Sequence, residues 1–435
     1  MTPRSLGFLA AGCAALLALG LMVAINGATG GRRPSFQGGG GNPLSHRPED
    51  ADQLDLFDTV ESFSTGTLEH AAVGTFAGRA RVTLDDRREK SFPRRGVWTS
   101  PVRTPPFPIH ELIPSYNAEC PRDTGVRLQA RVRVDGEWSP WLYFGRWGRT
   151  VDAERREDRP VTEFSAGRVA IDTLVLRRPA DAYQVRMVLQ SLSPDAASPG
   201  PVVRRVAAVA SGPVADTEAR RRLLTAPAVA GKWDRSLSVP FIPQGDGPTS
   251  VIGEVCSPTT VTMVAQYHGV GRGLTENAMA IYDEEARIFG NWNRAVQRAG
   301  ELGLDAWITR FRTWEQVKAQ IAAGQPVIAS IKFEKGVMPS NPIYQDTDGH
   351  LIVIRGFTPE GDVIVNDPAS RAKGNAVVYK SQELGKAWFN AGGVAYIIRS
   401  ASNSANTSGN DASSMTTVDR GTQRFVLPPP ATQPG

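Results

Sequence analysis

Val126-Arg127-Leu128-Gln129-Ala130-Arg131-Val132-Arg133-Val134-Asp135-Gly136 alternates apolar and polar side chains without a break and then presents Asp-Gly. A period of two places every second side chain on one face of a strand, so the stretch reads as a strand with one buried and one wet face. Asp135-Gly136 supplies the hairpin turn that ends it. The alternation returns at Tyr183, Val185, Met187 and Leu189, and 169–176 and 202–209 read as further short strands. Gly and Pro punctuate these runs, and no stretch between Leu68 and Gly212 has a convincing helical period. An antiparallel β-sandwich over 68–212 is therefore expected.

The grammar changes over 236–399. Val239-Pro240-Phe241-Ile242 reads as a short strand, 258–267 as a helix, and 292–302 and 314–323 as two more. Gly324-Gln325-Pro326 breaks the last helix, and the apolar runs 327–333, 351–357 and 363–365 follow as strands. An α+β domain is expected here, with helices first and sheet afterwards.

The remaining segments are leader, linkers and tail. Residues 6–25 carry no charge and are flanked by Arg4 and by Arg32-Arg33. About twenty such residues span about 30 Å as a helix, so 1–30 reads as an uncleaved membrane anchor or a signal peptide, with export implied by either. A Gly- and Pro-containing flexible linker is expected over 31–67, a connector over 213–235 and a disordered Ser-, Asn- and Pro-rich tail over 400–435. The expected localisation is exported, either anchored at the cell envelope or secreted.

A chain of 435 residues is too long for one ordinary domain, and 41% hydrophobic with 21% charged residues is a globular balance. The net charge of +5 comes without a long basic run, Arg220-Arg221-Arg222 being the longest, so nucleic acid is not an expected partner. Of three cysteines, Cys13 falls in the leader. Cys120 and Cys256 are too few for a disulfide scaffold, and one of them calls for another role.

Cys256 is followed by Ser257-Pro258 and then by apolar residues at helical spacing, which puts its sulfur at a helix N-terminus. Open N–H groups and the helix dipole there favour the thiolate. His268 lies on the same expected helix, about 18 Å further along its axis, too far to serve as the base. His350 opens the strand after the turn Asp348-Gly349, at an edge from which a base can face a helix end. If 351–357 and 363–365 form a hairpin around Pro359-Glu360-Gly361-Asp362, Asn366-Asp367 returns beside His350, where a carboxylate can hold the imidazole tautomer. Cys256 also fits an inert buried thiol, His350 a surface residue and Asp367-Pro368 a plain turn.

Pro240 to Gln244, the helix from Cys256, Tyr267-His268-Gly269, Asn291-Trp292, Gly324-Gln325-Pro326-Val327, Gly349-His350 and Val365-Asn366-Asp367-Pro368 stand in a telling order. In that order 236–398 resembles the bacteriocin-processing (double-glycine leader) cysteine peptidases and their stand-alone relatives. The resemblance implies a papain-like fold with Cys256 as nucleophile, His350 as general base, Asp367 orienting the histidine and Gln244 donating to the oxyanion. Two departures touch the oxyanion hole. Ser257 stands where the family usually has Gly, and the interval from Gln244 to Cys256 is longer than its common form.

No G-x-S-x-G, H-E-x-x-H, C-x-x-C or phosphate-loop pattern occurs, so no metal or cofactor is expected. Trp138, Trp141, Tyr143, Phe144 and Trp147 concentrate aromatics in the sandwich, as core or as a platform for a glycan or protein ligand. The whole reads as an exported cysteine peptidase acting on a peptide or protein, with membrane contact through 1–30 if that segment stays attached. Two alternatives remain open: a catalytically weak or inactive papain-like domain in an adhesion or peptide-binding protein, and a related thiol amidase or transpeptidase.

Overall fold

The computed structural model describes residues 52–85, 94–150, 160–195, 197–212, 232–248 and 254–401. The expected leader with Cys13, the start of the linker, most of the connector and nearly all of the tail lie outside the described residues. Among the described residues no helix is long and apolar enough to cross a membrane.

The N-terminal part runs β1 (Asp52–Phe57), α1 (Val60–Ser64), β2 (Thr67–Glu69), β3 (Ala71–Phe76), β4 (Arg79–Leu84), β5 (Arg94–Thr99) and β6 (Ile109–Glu119). It continues through β7 (Thr124–Val134), β8 (Glu137–Trp138), β9 (Leu142–Gly148), β10 (Glu163–Phe164), β11 (Gly167–Ala170), β12 (Thr173–Ala180), β13 (Ala182–Ser191) and β14 (Val202–Ser211). One sheet has the order β10-β11-β12-β6-β14-β4-β3 with β1 added on β14; the other has β2-β5-β13-β7-β8 with β9 on β7. The pairings are antiparallel throughout, and the two sheets enclose one core.

The alternation read from β7 holds. Val126, Leu128, Ala130 and Val132 are buried, facing Leu112, Val206 and Ala208 of the other sheet across the shared core. Asp135 and Gly136 both take positive φ, 52° and 83°, as the tight hairpin requires. The aromatic stretch divides. Phe144 and Trp147 enter the core, while Trp138 and Trp141 lie under the guanidinium of Arg131, each at 4.6 Å.

Two expectations are corrected. The linker over 31–67 is shorter than read, because Asp52–Phe57 is a strand in register with β14 and α1 buries Phe63 beside Trp98. Its alternation, Leu54 and Leu56 against Asp55 and Phe57, was too short to stand out beside the Gly- and Pro-rich residues before it. Val239-Pro240-Phe241-Ile242 is not a strand. Asn366 binds the Val239 and Pro240 carbonyls at 3.1 and 3.3 Å and replaces a strand neighbour.

The C-terminal part runs α2 (Cys256–Tyr267), α3 (Leu274–Ile281), α4 (Trp292–Glu301), β15 (Asp305–Arg310), α5 (Trp314–Ala322), β16 (Val327–Phe333) and β17 (Thr347–Phe357). It ends with β18 (Val363–Asn366), β19 (Val377–Tyr379), α6 (Ser381–Phe389) and β20 (Val394–Arg399). The sheet order is β15-β20-β16-β17-β18-β19. The early strand β15 pairs with the last, β20, so one edge of the sheet is built by segments far apart in the chain.

The two parts are joined by a layer buried on both sides. In β14, Val206, Ala208 and Ala210 face the sandwich core while Ala207 and Val209 enter the core of the C-terminal part, together with Ile113 of β6. Polar groups fix the register. Asn117 donates to the Val296 carbonyl at 3.2 Å and accepts from the Ala306 N–H at 3.0 Å, and Gln297 makes a two-point contact with the Ala118 backbone at 2.7 Å each way. Gly300 permits this approach, since a Cβ there would lie 2.6 Å from Asn117 Cβ. Asp172 accepts from the Trp292 N–H at 2.7 Å at the start of α4.

Asn117→Ala should lower unfolding stability by about 1 to 3 kcal/mol in denaturant titration, because it leaves the buried Ala306 N–H without its acceptor. Asp172 gives a pH signature. Burial raises its carboxyl to about 7, above its unfolded value. The group therefore contributes stability that is fully present below the unfolded pKa and lost as pH rises through the folded one. Asp172→Asn keeps an acceptor for Trp292 and should flatten the decline in melting temperature between about pH 4 and pH 7, leaving the variant the more stable protein above neutrality.

Candidate active site

Cys256 is the first residue of α2, and Val255 at the N-cap offers no side-chain hydrogen bond to the first turn. The helix begins two residues earlier than the pattern indicated, so the sulfur sits within its first turn. Thr259 and Thr262 turn their hydroxyls back onto the carbonyls of Val255 and Pro258, which lets polar residues be buried along a helix packed on all sides. Cys256 itself is buried in the core cluster, and α2 packs against β17.

His350 lies on β17, opposite Ile331 of β16. The hairpin from β17 to β18 forms as its turn residues indicated, with Val353 opposite Asn366. It returns Asp367 to His350, whose Nε2 is 2.9 Å from Asp367 Oδ1. Oδ1 also accepts from the Ala369 N–H at 2.9 Å, and Oδ2 accepts from the hydroxyls of Tyr344 and Tyr379, both at 2.7 Å. A fully buried carboxylate thus has four donors.

Burial pushes the Asp367 carboxyl up, but the charge of and hydrogen bond from His350, the Ala369 N–H and the Tyr344 hydroxyl outweigh it and hold the group below the usual carboxylate range. Burial, with the charge of Asp367, pushes both phenols well up, so they remain donors. Gly374 closes over the site from behind: its carbonyl accepts from the Asp367 N–H at 2.8 Å, and a Cβ on it would lie 1.9 Å from the Asp367 carbonyl oxygen. Tyr344 and Tyr379 escaped the sequence reading because neither lies in a periodic pattern with Asp367. Only the folding of the loop before β17 and the short strand β19 brings them there.

Gln244 opens a single 3-10 turn, Gln244–Asp246. Its backbone N–H donates to the Pro368 carbonyl at 2.9 Å, and Asp246 pairs with Arg371, so the turn is tied to the segment that follows Asp367. Gln244 Oε1 is buried with no hydrogen-bond partner among the described residues. Part of the longer interval to Cys256, 249–253, lies outside the described residues. Ser257, the residue in place of Gly, is buried and lies 3.2 Å from the Tyr396 hydroxyl, occupied by the core.

Cys120 and His268 are engaged elsewhere in the fold. Burial pushes the Cys120 thiol up, and its sulfur lies 3.7 Å from the Trp147 carbonyl. No disulfide joins Cys120 to Cys256. His268 Nε2 donates to the Ile398 carbonyl at 2.8 Å, and burial lowers its pKa. Among the described residues no cluster of His, Cys, Asp and Glu could hold a metal ion.

Residues 236–396 match the model of the Peptidase_C39 like family, and residues 53–211 match the Peptidase C39 N-terminal domain. The C-terminal part is thus similar to the C39-like peptidases and the N-terminal part to the domain that accompanies them, which supports a cysteine peptidase at the level of the family. Among solved structures it is similar to a double glycine motif protease from an AMS/PCAT transporter in complex with the leader peptide, at 19% identity and a TM-score of 0.28 over 40% of this chain and 98% of that one. A C39-like peptidase from Bacillus anthracis matches at 19% identity and a TM-score of 0.30, over 39% of this chain and 100% of that one. The C-terminal CBM6 of LamC from Zobellia galactanivorans matches at 15% identity and a TM-score of 0.20, covering 36% of this chain and 98% of that one. No curated protein sequence matches the chain.

The donors on Asp367 yield a measurable consequence. A carboxyl held below its ordinary range contributes stability that is present at neutral pH and lost as pH falls through the lowered pKa. Tyr344→Phe combined with Tyr379→Phe removes both donors to Oδ2 and should raise that pKa. The acid-denaturation midpoint should then move to higher pH; an unmoved midpoint would show that His350 and Ala369 alone hold the charge.

Proposed function

We propose that this protein is an exported cysteine peptidase of papain-like fold that hydrolyses peptide bonds through Cys256, His350 and Asp367, with Gln244 as oxyanion donor. The observation that carries the reading is the 2.9 Å hydrogen bond between His350 and Asp367 on a hairpin packed against the helix that begins at Cys256. The family match over 236–396 supports it independently.

In this reading the Cys256 thiolate, favoured by the open N–H groups and dipole of α2, attacks the scissile carbonyl carbon. The carbonyl oxygen becomes an oxyanion and takes hydrogen bonds from the Gln244 side-chain amide and the Cys256 N–H. His350, protonated while sulfur is ionised, passes its proton to the leaving amine as the C–N bond breaks. It then takes a proton from water, whose oxygen attacks the thioester carbonyl and releases the acid and the thiolate. Asp367 keeps Nε2 of His350 engaged and stabilises the imidazolium, leaving Nδ1 to exchange the proton. The segment at 1–30 accounts for export and, if retained, for attachment to the membrane.

Cys256→Ala and His350→Ala should each abolish hydrolysis of a peptide substrate and labelling by a thiol-directed probe, with circular dichroism unchanged. Gln244→Ala should keep labelling while lowering kcat by about 10² to 10³. Full turnover by Cys256→Ala, or probe labelling confined to Cys120, would overturn the assignment. Ser257→Gly should cost stability by orphaning the Tyr396 hydroxyl, with activity unimproved, since the serine side chain is turned to the core.

A further inference from the structure

A cleft of about 330 Å³ opens between the sandwich and the helices of the C-terminal part, with Tyr116, Tyr143, Thr150, Tyr282 and Asn293 among its lining residues. That volume falls within the range of small-molecule sites. Most of the charge on its wall is already engaged. Arg146 pairs with Glu285 at 3.2 Å, the Tyr143 hydroxyl donates to Glu285 at 3.1 Å, and Asp283 accepts from Asn291 at 2.6 Å. The Arg294 guanidinium donates to the carbonyls of Ile281, Ala280 and Arg146 at 2.8, 3.0 and 3.2 Å.

Two neutral side chains stand apart. Asn293 is 2% exposed and Thr150 is 1% exposed. Among the described residues neither end of the Asn293 amide nor the Thr150 hydroxyl has a hydrogen-bond partner. Polar groups buried in this way cost stability, and a ligand that supplies the missing donors and acceptors removes the cost.

We infer that this cleft is a binding site for a neutral saccharide. Asn293 offers one donor and one acceptor side by side, and the Thr150 hydroxyl can play either role. Sugar hydroxyls answer both at once. The tyrosines add ring surface for the C–H faces of a pyranose. A charged ligand would have to break the pairs already formed on the wall. A peptide would need apolar pockets, and among the described lining residues Met279 is the one exposed large apolar side chain. Both parts of the chain build the cleft, Tyr143 and Thr150 from one and Tyr282 and Asn293 from the other. The tilted pair of Tyr282 and Phe289, 4.8 Å between centroids, packs with Val255, the N-cap of the helix that carries Cys256. An occupant of the cleft therefore rests against the wall behind that helix.

The test is isothermal titration of the full chain with chitobiose, cellobiose and maltose. At least one disaccharide should bind, and Asn293→Ala and Thr150→Val should each weaken it by about tenfold or more. Both variants should melt at or above the wild-type temperature, because each removes an orphaned polar group. Cys256→Ala should bind the sugar unchanged, which keeps this site separate from the proposed peptidase chemistry. Failure of all three sugars to bind overturns the proposal, and so does binding undiminished in both variants. A melting temperature lowered in both would assign the two residues to the fold instead. Saturable binding of tetra-alanine that Asn293→Ala abolishes, with no sugar bound, would reassign the cleft to peptides.

Discussion

The structure depends on one layer, β6 paired with β14, that is buried on both faces. A strand face that meets only water needs polar side chains, whereas Ala207 and Val209 are as thoroughly buried as Val206 and Ala208 on the opposite face. The run Val202 to Ser211 can therefore be almost continuously apolar over its second half, as is usual of strands covered on both sides. Once the layer is covered, α4 and β15 are held against it by Asn117, Gln297 and Gly300, and they set where the rest of the C-terminal sheet begins. Ion pairs add to the same seam: the buried Asp305 receives the buried Arg205 at 3.3 Å as well as the half-buried Arg79, and the buried Arg310 meets the more exposed Glu111. Such pairs are costly to break from one side, so they favour one docking geometry over sliding alternatives.

The Asp367 site follows a second constraint, the cost of an anion without solvent. A carboxylate at 0% exposure is tolerable only if its lone pairs are filled and a cation or strong donor is near. His350, the Ala369 N–H and two tyrosines meet that demand. The neighbouring Asn366 extends the order outward by holding the 239–240 segment, and through Pro368 the backbone of Gln244 is fixed to the same loop. The elements that carry the four candidate residues are thus tied to one another by hydrogen bonds that begin at β18. The cleft at Asn293 sits on the other side of α2's N-cap, where the sandwich closes over α4.

Sequence alone determined what depends on neighbours along the chain. The alternation in β7 and β13, the Asp135-Gly136 turn, the helix at Cys256 and the hairpin that carries His350 back to Asp367 are local events, governed by side-chain period, turn chemistry and short loops. The tertiary structure decided what depends on distant partners. It made Asp52–Phe57 a strand by giving it the open side of β14, turned Val239 to Ile242 into an irregular segment held by Asn366, and brought Tyr344 and Tyr379 to Asp367. It also directed Ser257 into the core toward Tyr396. The physical reason is the same in each case: a hydrogen bond or buried surface between residues far apart in the chain has no periodicity to announce it, because its partner is chosen only when the layers pack.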